Sequence, residues 1–290
     1  MRNTFHANTH LIGVIGHPIK HSYSPFIHNV AIEIKKLDYI YLPFDIPPSN
    51  LRNALTGITT FGIKGLNVTI PHKESVMQHL NSVSEEVSMI GSVNTIVNDQ
   101  GKLIGYNTDS YGVLETLLPF KDEIAGQQIC IIGAGGSARA VIFTLIRHFK
   151  PQKLFILNRN ESRAENLKSY FSDKMKFSSI KTKDLIPPAA FEVIKDSKLI
   201  IHATPLGMHP NIDDSITTST DVFSKGQIVF DLVYNPPKSL LLKTAIKSGA
   251  KTINGLSMLV NQAAKSFELW TGVDFPKEDV QKSLQLYLSI

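Results

Sequence analysis

The chain holds a single cysteine and has no apolar run approaching the roughly 20 residues that a membrane-crossing helix requires. One cysteine excludes an intramolecular disulfide and a zinc site built of several thiolates; Cys130 lies inside the apolar run ICIIG, where a buried structural thiol is expected. The opening segment offers only a six-residue apolar run, LIGVIG, interrupted by glycine, so no secretory signal is expected there and the protein reads as cytoplasmic. No internal repeat and no low-complexity linker is visible. The net charge of +5 is small, and the basic residues are scattered rather than gathered into a stripe with interleaved aromatics, which argues against nucleic acid as a partner. Such an excess suits a cleft that attracts phosphorylated or carboxylated small molecules. The ten histidines show no metal-ligand spacing, so no metal is expected.

What is present is a chain of 290 residues, 42% of them apolar, enough to bury two ordinary cores. Short apolar runs alternate with amphipathic stretches, the pattern of α/β domains. Strands are expected at His10–Gly16, Tyr39–Asp45 and 65–70, and helices at 24–36, 49–56 and 71–80, with Pro25 and Pro71 tolerated in first helical turns. SVNTIVN and KLIGYN, separated by Asp-Gln-Gly, read as a hairpin. A helix follows from Asp109 to about Pro119. Residues 127–159 then give strand, glycine turn, helix and strand, with later strands expected at 198–203, 227–232 and 251–254 and two closing helices at 255–272 and 277–288.

The segment Gly133-Ala134-Gly135-Gly136-Ser137-Ala138 fits G-x-G-x-x-G/A between an apolar strand and an apolar helix, the context in which that pattern binds a dinucleotide. Gly133 would allow the tight turn, Gly135 the approach of a pyrophosphate to the helix N-terminus, and Ala138 close helix packing. The second strand ends in Asn158 and Arg159 rather than in a carboxylate that would accept from a ribose 2′-hydroxyl. A guanidinium pairs bidentately with phosphate, so NADP is expected over NAD, with Arg163 reinforcing Arg159 if both begin the next helix. The ordinary alternative is a solvated arginine on a loop, and Glu161 nearby keeps an unphosphorylated ribose open.

Several polar segments fall where strands meet helices: GHPIKHSYSPFIHN at 16–29, NVTIPHK at 67–73, GSVNT at 91–95 and GYNTDSYG at 105–112. Together with GAGGSARA at 133–140, DLVYNP at 231–236 and NGLSMLVNQAA at 254–264, they resemble the shikimate dehydrogenase family in chain order and over essentially the whole length. The resemblance implies two α/β domains: an N-terminal substrate domain over 1–108 and a Rossmann-type, doubly wound NADP domain over 109–253. C-terminal helices over 254–290 would return to the substrate domain. It implies reversible, NADPH-dependent reduction of 3-dehydroshikimate to shikimate, in chorismate and aromatic amino acid biosynthesis, by a monomer or homodimer whose partner is a small molecule and not a membrane.

Carried over by motif, Lys73 and Asp109 form the catalytic pair, because a ketone that receives hydride at carbon needs a proton at oxygen. Ser22 and Ser24 would hold the substrate carboxylate, and Asn67, Thr69, Asn94, Gln262 and Tyr234 would contact the ring or its hydroxyls. Leu232, Gly255 and Glu85 match positions that meet the cofactor, as does Asn160, which stands where the family often has threonine. The bland alternatives are a helix cap for Ser24, a solvated charge for Lys73 and Glu85, a core residue for Leu232 and a turn for Gly255. His202, in HATPLGM where the family commonly has asparagine, reads as a structural or pocket-lining histidine. The competing functions are a quinate/shikimate dehydrogenase using either NAD or NADP, a reductase of another cyclic substrate, and a non-catalytic sensor that binds the cofactor or a metabolite. The intact Lys73 and Asp109 argue against the sensor.

Overall fold

Two separate sheets, several of their strands rich in valine and isoleucine, form the frame of this computed structural model, which describes residues 5–288. The chain divides into one unit of residues 1–112 and 259–290 and a second of residues 113–258.

In the first unit, β1 (His10–Gly16), β2 (Tyr39–Asp45), β3 (Gly65–Val68), β4 (Ser82–Val83), β5 (Thr95–Asp99) and β6 (Lys102–Tyr106) form one sheet in the order β2-β1-β3-β5-β6-β4. The pairings of β1 with β2 and β3 are parallel, whereas β5 runs antiparallel to both β3 and β6. The β5–β6 hairpin turns on Gln100 and Gly101, both at positive φ, with Gly101 N–H donating to Asn98 Oδ1 at 2.8 Å; a two-residue primed turn demands those angles. Helices α1 (Ser24–Ile34), α2 (Leu51–Thr60) and α3 (Glu85–Ile90) accompany it. Leu51, Leu55 and Ile58 recur at helical spacing along α2 and pack with Ile15, Leu66 and Ile96 in one core cluster.

The second unit is a wholly parallel sheet of β7 (Gln128–Ile132), β8 (Lys153–Asn158), β9 (Ile180–Asp184), β10 (Leu199–His202), β11 (Ile228–Asp231) and β12 (Lys251–Ile253). Its order, β12-β11-β10-β7-β8-β9, reverses direction between β7 and β10. That is the doubly wound arrangement, with its switch point at the carboxyl ends of β7 and β10. Helix α4 (Asp109–Leu117) begins in the first unit and crosses the boundary at residue 112, and α5 (Lys121–Ile124), α6 (Gly136–Thr144), α7 (Glu161–Met175), α8 (Ala189–Asp196) and α9 (Leu240–Lys247) lie along the second unit's stretch of chain. Cys130 is buried with Ile132, Leu157, Val229 and Leu242, and burial pushes its thiol pKa well up, so it stays an inert core residue.

After α10 (Leu256–Thr271) comes α11 (Lys277–Leu288), and the chain from Leu259 onward belongs to the first unit. Trp270 Nε1 donates to Ile96 O at 2.9 Å, tying α10 to β5. The C-terminal helices thus return to the first unit, as the family resemblance implies. Among the described residues no helix is long and apolar enough to cross a membrane.

Three expected helices change. Helix α1 stops at Ile34, because Lys36 takes positive φ. The stretch expected at 49–56 is a 3₁₀ turn at Pro48–Asn50 followed by α2. Residues 71–80 form no α-helix: a 3₁₀ turn covers only Ser75–His79. The Lys73 carbonyl, which an α-helix would commit to residue 77, accepts instead from Val93 N–H at 2.8 Å.

Candidate active site

The carboxyl edge of the first sheet gathers the candidate residues of that unit. Thr69 follows β3, Asn94 precedes β5 and Asp109 follows β6; because β5 is antiparallel to its neighbours, all three reach the same edge. Backbone bonds fasten the edge: Val68 N–H to Asn94 O at 2.8 Å, Asn94 N–H to Tyr106 O at 3.1 Å and Thr69 N–H to Ile15 O at 2.9 Å. The turn bearing Lys73 is pinned at both ends, by its carbonyl on Val93 N–H and by His72 Nε2–H on Ile46 O at 2.7 Å.

Held in this way, Lys73 Nζ donates to Asp109 Oδ2 at 2.5 Å, with 11% of one side chain and 6% of the other exposed. Asp109 begins α4, where a negative charge is favoured by the helix dipole. Its second oxygen accepts from Asn94 Nδ2 at 2.9 Å. Asn94 Nδ2 also faces Thr108 Oγ1 at 2.9 Å and Gln262 Oε1 at 3.3 Å. Two N–H bonds cannot serve three acceptors equally, so the Gln262 oxygen is the one least committed. An ammonium held beside a carboxylate, next to an amide oxygen with capacity to spare, can polarise a carbonyl and exchange a proton with it.

Behind the pair lies a buried polar network. Tyr41 O–H donates to Asn67 Oδ1 at 2.7 Å, and Asn67 Nδ2 reaches Ser266 Oγ at 3.0 Å and Asn94 O at 3.2 Å. Ser266 Oγ also lies 2.8 Å from Thr95 Oγ1 and 2.9 Å from Thr108 Oγ1. Asn67, 5% exposed, is therefore embedded in the support of the site. Sequence reasoning missed Tyr41, Thr95, Thr108 and Ser266. The signal for Ser266 was its position four residues after Gln262, on the same helix face.

Ser22 and Thr69, on loops after β1 and β3, are half-buried, and Ser24, the first residue of α1, is buried. Ser22 Oγ accepts from Ser24 N–H at 3.3 Å. The capping alternative for Ser24 is not realised, since α1 begins at Ser24 without a side-chain cap. Glu85 is exposed in the first turn of α3. Below β2, the buried His28 ring stacks on Tyr41 with centroids 4.3 Å apart and planes 7° apart, and Trp270, Phe267 and Phe275 surround it. Among the described residues neither of its nitrogens has a hydrogen-bond partner. Burial drives its pKa down to about 3; the nearby Asn67 amide opposes the shift weakly, without a bond of normal geometry.

In the second unit the remaining candidates stand at the carboxyl ends of the parallel strands. Gly133 follows β7 at φ +119, and a Cβ there would lie 2.9 Å from both Ala203 O and Thr204 Cγ2. Gly135 precedes α6 without a side-chain cap; a Cβ there would meet nothing within 4 Å, leaving room for a ligand against the helix N-terminus formed by Gly136 and Ser137. Ala134 is half-buried and Ala138 fully buried. These residues fit a dinucleotide. Gly133→Ala is expected to cost the second unit about 1–3 kcal/mol, measured by its denaturant midpoint, whereas Gly135→Ala should leave that midpoint unchanged and weaken NADPH binding.

Asn158 ends β8, and its Nδ2 donates to Asn160 O at 2.8 Å; Arg159 and Arg163 are exposed. The condition under which Arg163 would reinforce Arg159, that both begin the next helix, is not met: Asn160 is the N-cap of α7, accepting from Arg163 N–H at 3.1 Å, so only Arg163 is helical. Leu232 and Tyr234 follow β11, both partly exposed, and Gly255 N–H donates to Val233 O at 3.2 Å. His202 is 2% exposed at the end of β10, its Nδ1 2.9 Å from Asp231 Oδ1 and its Nε2 2.6 Å from Thr204 Oγ1. Among the described residues no three His, Cys, Asp or Glu side chains stand close enough to hold a metal ion.

Comparison with known proteins agrees across both units. Family profiles match residues 14–96 (shikimate dehydrogenase substrate binding domain), 117–231 (shikimate / quinate 5-dehydrogenase) and 255–285 (shikimate 5′-dehydrogenase C-terminal domain). The shikimate dehydrogenase (NADP(+)) of Caldanaerobacter subterraneus subsp. tengcongensis is 42% identical over 96% of this chain and 98% of its own. A solved shikimate dehydrogenase in complex with NADP+ is 40% identical with a TM-score of 0.89, covering 98% of both chains. The quinate dehydrogenase of Corynebacterium glutamicum, solved with NAD, is 28% identical with a TM-score of 0.86, covering 97% of this chain and 99% of that one. With its motifs, both folds and nearly its full length in common with these proteins, the chain belongs to the shikimate dehydrogenase family.

Proposed function

We propose that this protein catalyses the reversible, NADPH-dependent reduction of 3-dehydroshikimate to shikimate, a step toward chorismate and the aromatic amino acids. The observation that carries the reading is the Lys73–Asp109 pair at the sheet edge, 2.5 Å apart and backed by Asn94 and Gln262. The curated relative named above supports both substrate and cofactor.

Ser22 and Ser24 hold the substrate carboxylate with their hydroxyls; Asn94, Thr69 and Gln262 address the ring, Asn67 supports them from below and Tyr234 adds a contact. Gly133, Ala134, Gly135, Gly136 and Ser137 cradle the cofactor pyrophosphate, while Asn158, Arg159, Asn160 and Arg163 receive the 2′-phosphate and Leu232 and Gly255 line the remainder. When bound, NADPH supplies the hydride for the ring carbonyl carbon. Lys73 gives its proton to the carbonyl oxygen as charge develops there, and Asp109 holds the ammonium at that oxygen; in the oxidation Lys73 takes the proton back. The proposal extends to a cytoplasmic monomer or homodimer with no nucleic-acid or membrane partner.

The test is reduced-nicotinamide absorbance on mixing the protein with shikimate or quinate and NADP or NAD. Turnover is expected with shikimate and NADP. Arg159→Ala should raise the KM for NADP about tenfold or more and leave that for NAD unchanged, since a charged hydrogen-bonded contact is lost only with the phosphate. Comparable rates with quinate or NAD would make this a quinate/shikimate dehydrogenase of broader use, and no turnover with any pair would sink the function.

A further inference from the structure

The histidine that stands where the family commonly has asparagine occupies the switch point of the parallel sheet. His202 ends β10, in register with Ile132 of β7 and Asp231 of β11. Asp231 is fully buried; its Oδ1 accepts from Val233 N–H at 3.0 Å and its Oδ2 accepts from the Ser239 hydroxyl. A carboxylate only accepts, so His202 Nδ1 carries the proton in the 2.9 Å contact with Asp231. In the neutral ring Nε2 is then a lone pair, and in the 2.6 Å contact with Thr204 the hydroxyl is the donor.

Thr204 is thereby left without a proton to offer elsewhere. One approach to its oxygen is taken by Leu206 N–H at 3.3 Å, and the side chain is only half-buried. Its methyl group is what a Cβ at Gly133 would strike at 2.9 Å, so the hydroxyl lies beside the turn that closes the dinucleotide motif. We propose that His202 is a positioning residue that fixes the Thr204 hydroxyl as a hydrogen-bond acceptor for a donor group of the bound dinucleotide, a ribose hydroxyl or the carboxamide N–H. The proposal rests on the cofactor reading above and deepens it: Asp231 sets the tautomer of His202, and His202 sets the polarity of Thr204.

The experiment is NADPH binding, followed by nicotinamide fluorescence, for the wild type, Thr204→Val, Thr204→Ser, His202→Phe and the His202→Phe/Thr204→Val double variant, with Tm measured for each. Thr204→Val is expected to raise Kd about fivefold, the worth of one hydrogen bond, and Thr204→Ser to restore wild-type binding. His202→Phe should raise Kd by a similar factor, and the double variant no further, because both changes remove the same bond. A merely structural histidine would lower Tm in His202→Phe and leave the Kd of the folded protein unchanged; that result, or additive effects in the double variant, overturns the proposal. If His202→Phe does not fold, the Val and Ser variants decide, and an unchanged Kd in Thr204→Val overturns it. Repeating the series with the 3-acetylpyridine analogue of NADP, which lacks the carboxamide N–H, separates the donors: an effect that vanishes assigns the carboxamide, and one that persists assigns the ribose. A wild-type protein that binds no NADPH would overturn the cofactor reading and this proposal together.

Discussion

Lys73→Ala is expected to lower kcat for shikimate oxidation by about a thousandfold while leaving the Kd for NADP unchanged, as loss of a positioned proton donor and acceptor does. The confinement of the ammonium explains the size of the effect. With 11% of the Lys73 side chain exposed and Asp109 committed to it and to Asn94, the proton donor is held at one place in the site. Removing the lysine also leaves a buried carboxylate uncompensated, and breaking such a pair costs about 3–5 kcal/mol. The assay therefore belongs well below the Tm of the variant. Lys73→Arg separates charge from proton transfer: a guanidinium keeps the pairing with Asp109 but does not release a proton at ordinary pH, so its kcat should stay near that of the alanine variant. If Lys73→Ala keeps more than about a tenth of wild-type kcat, the proton-transfer role is wrong.

Acidification is expected to unfold the first unit through His28. Its pKa in the folded state is about 3, against 6.5 for an ordinary histidine, so between those values the unfolded chain binds a proton that the folded chain does not. The contribution is whole above pH 6.5 and lost as pH falls toward 3, at about 1.4 kcal/mol per pH unit and about 5 kcal/mol in all. A domain is commonly stable by only 5–15 kcal/mol, so the loss is large. Because the ring stacks on Tyr41, whose hydroxyl holds Asn67, protonation strikes the floor of the substrate site. His28→Phe keeps a flat ring in the aromatic cluster and removes two unpartnered nitrogens. Denaturant midpoints compared between pH 7 and pH 4 should show the variant losing less stability than the wild type, since all other titrating groups cancel in the comparison. Parallel losses in the two proteins would refute the assignment.

Much of this was legible in the sequence, for identifiable reasons. The strands at His10–Gly16 and Tyr39–Asp45 emerge with the bounds expected of them, because their apolar runs are flanked by clear breakers. The glycine motif was readable because it needs local geometry only. What escaped depends on neighbours distant in sequence. Residues 71–80 carry a helix-like start, yet the Lys73 carbonyl is claimed by Val93, twenty positions away. β9, IKTKD, has no apolar run: an edge strand alternating buried and exposed positions hides its period behind lysines. At the site, Lys73, Asp109, Asn94 and Gln262 were named by motif and are brought together. The network of Tyr41, Thr95, Thr108 and Ser266 was invisible, since short polar side chains have no pattern until the fold assembles them. His202 stands out in the sequence, but its partner Asp231 comes from a different strand and is itself held by Ser239 at the start of a helix.

The return of α10 to the first unit also governs the order in which the protein can be completed as it is made. Residues 113–258 are contiguous, so the parallel sheet has every strand it needs once they have emerged. The first unit, although begun earlier, must wait: until Ser266 and Trp270 are synthesised, Asn67 and Thr95 each lack one of their buried partners and Ile96 O lacks its donor. At translation rates of about 5–20 residues per second, residues 1–112 spend roughly 10–30 seconds as an unfinished sheet while the rest is produced. The half of the molecule proposed to bind the substrate is thus the first to be translated and the last to be able to close.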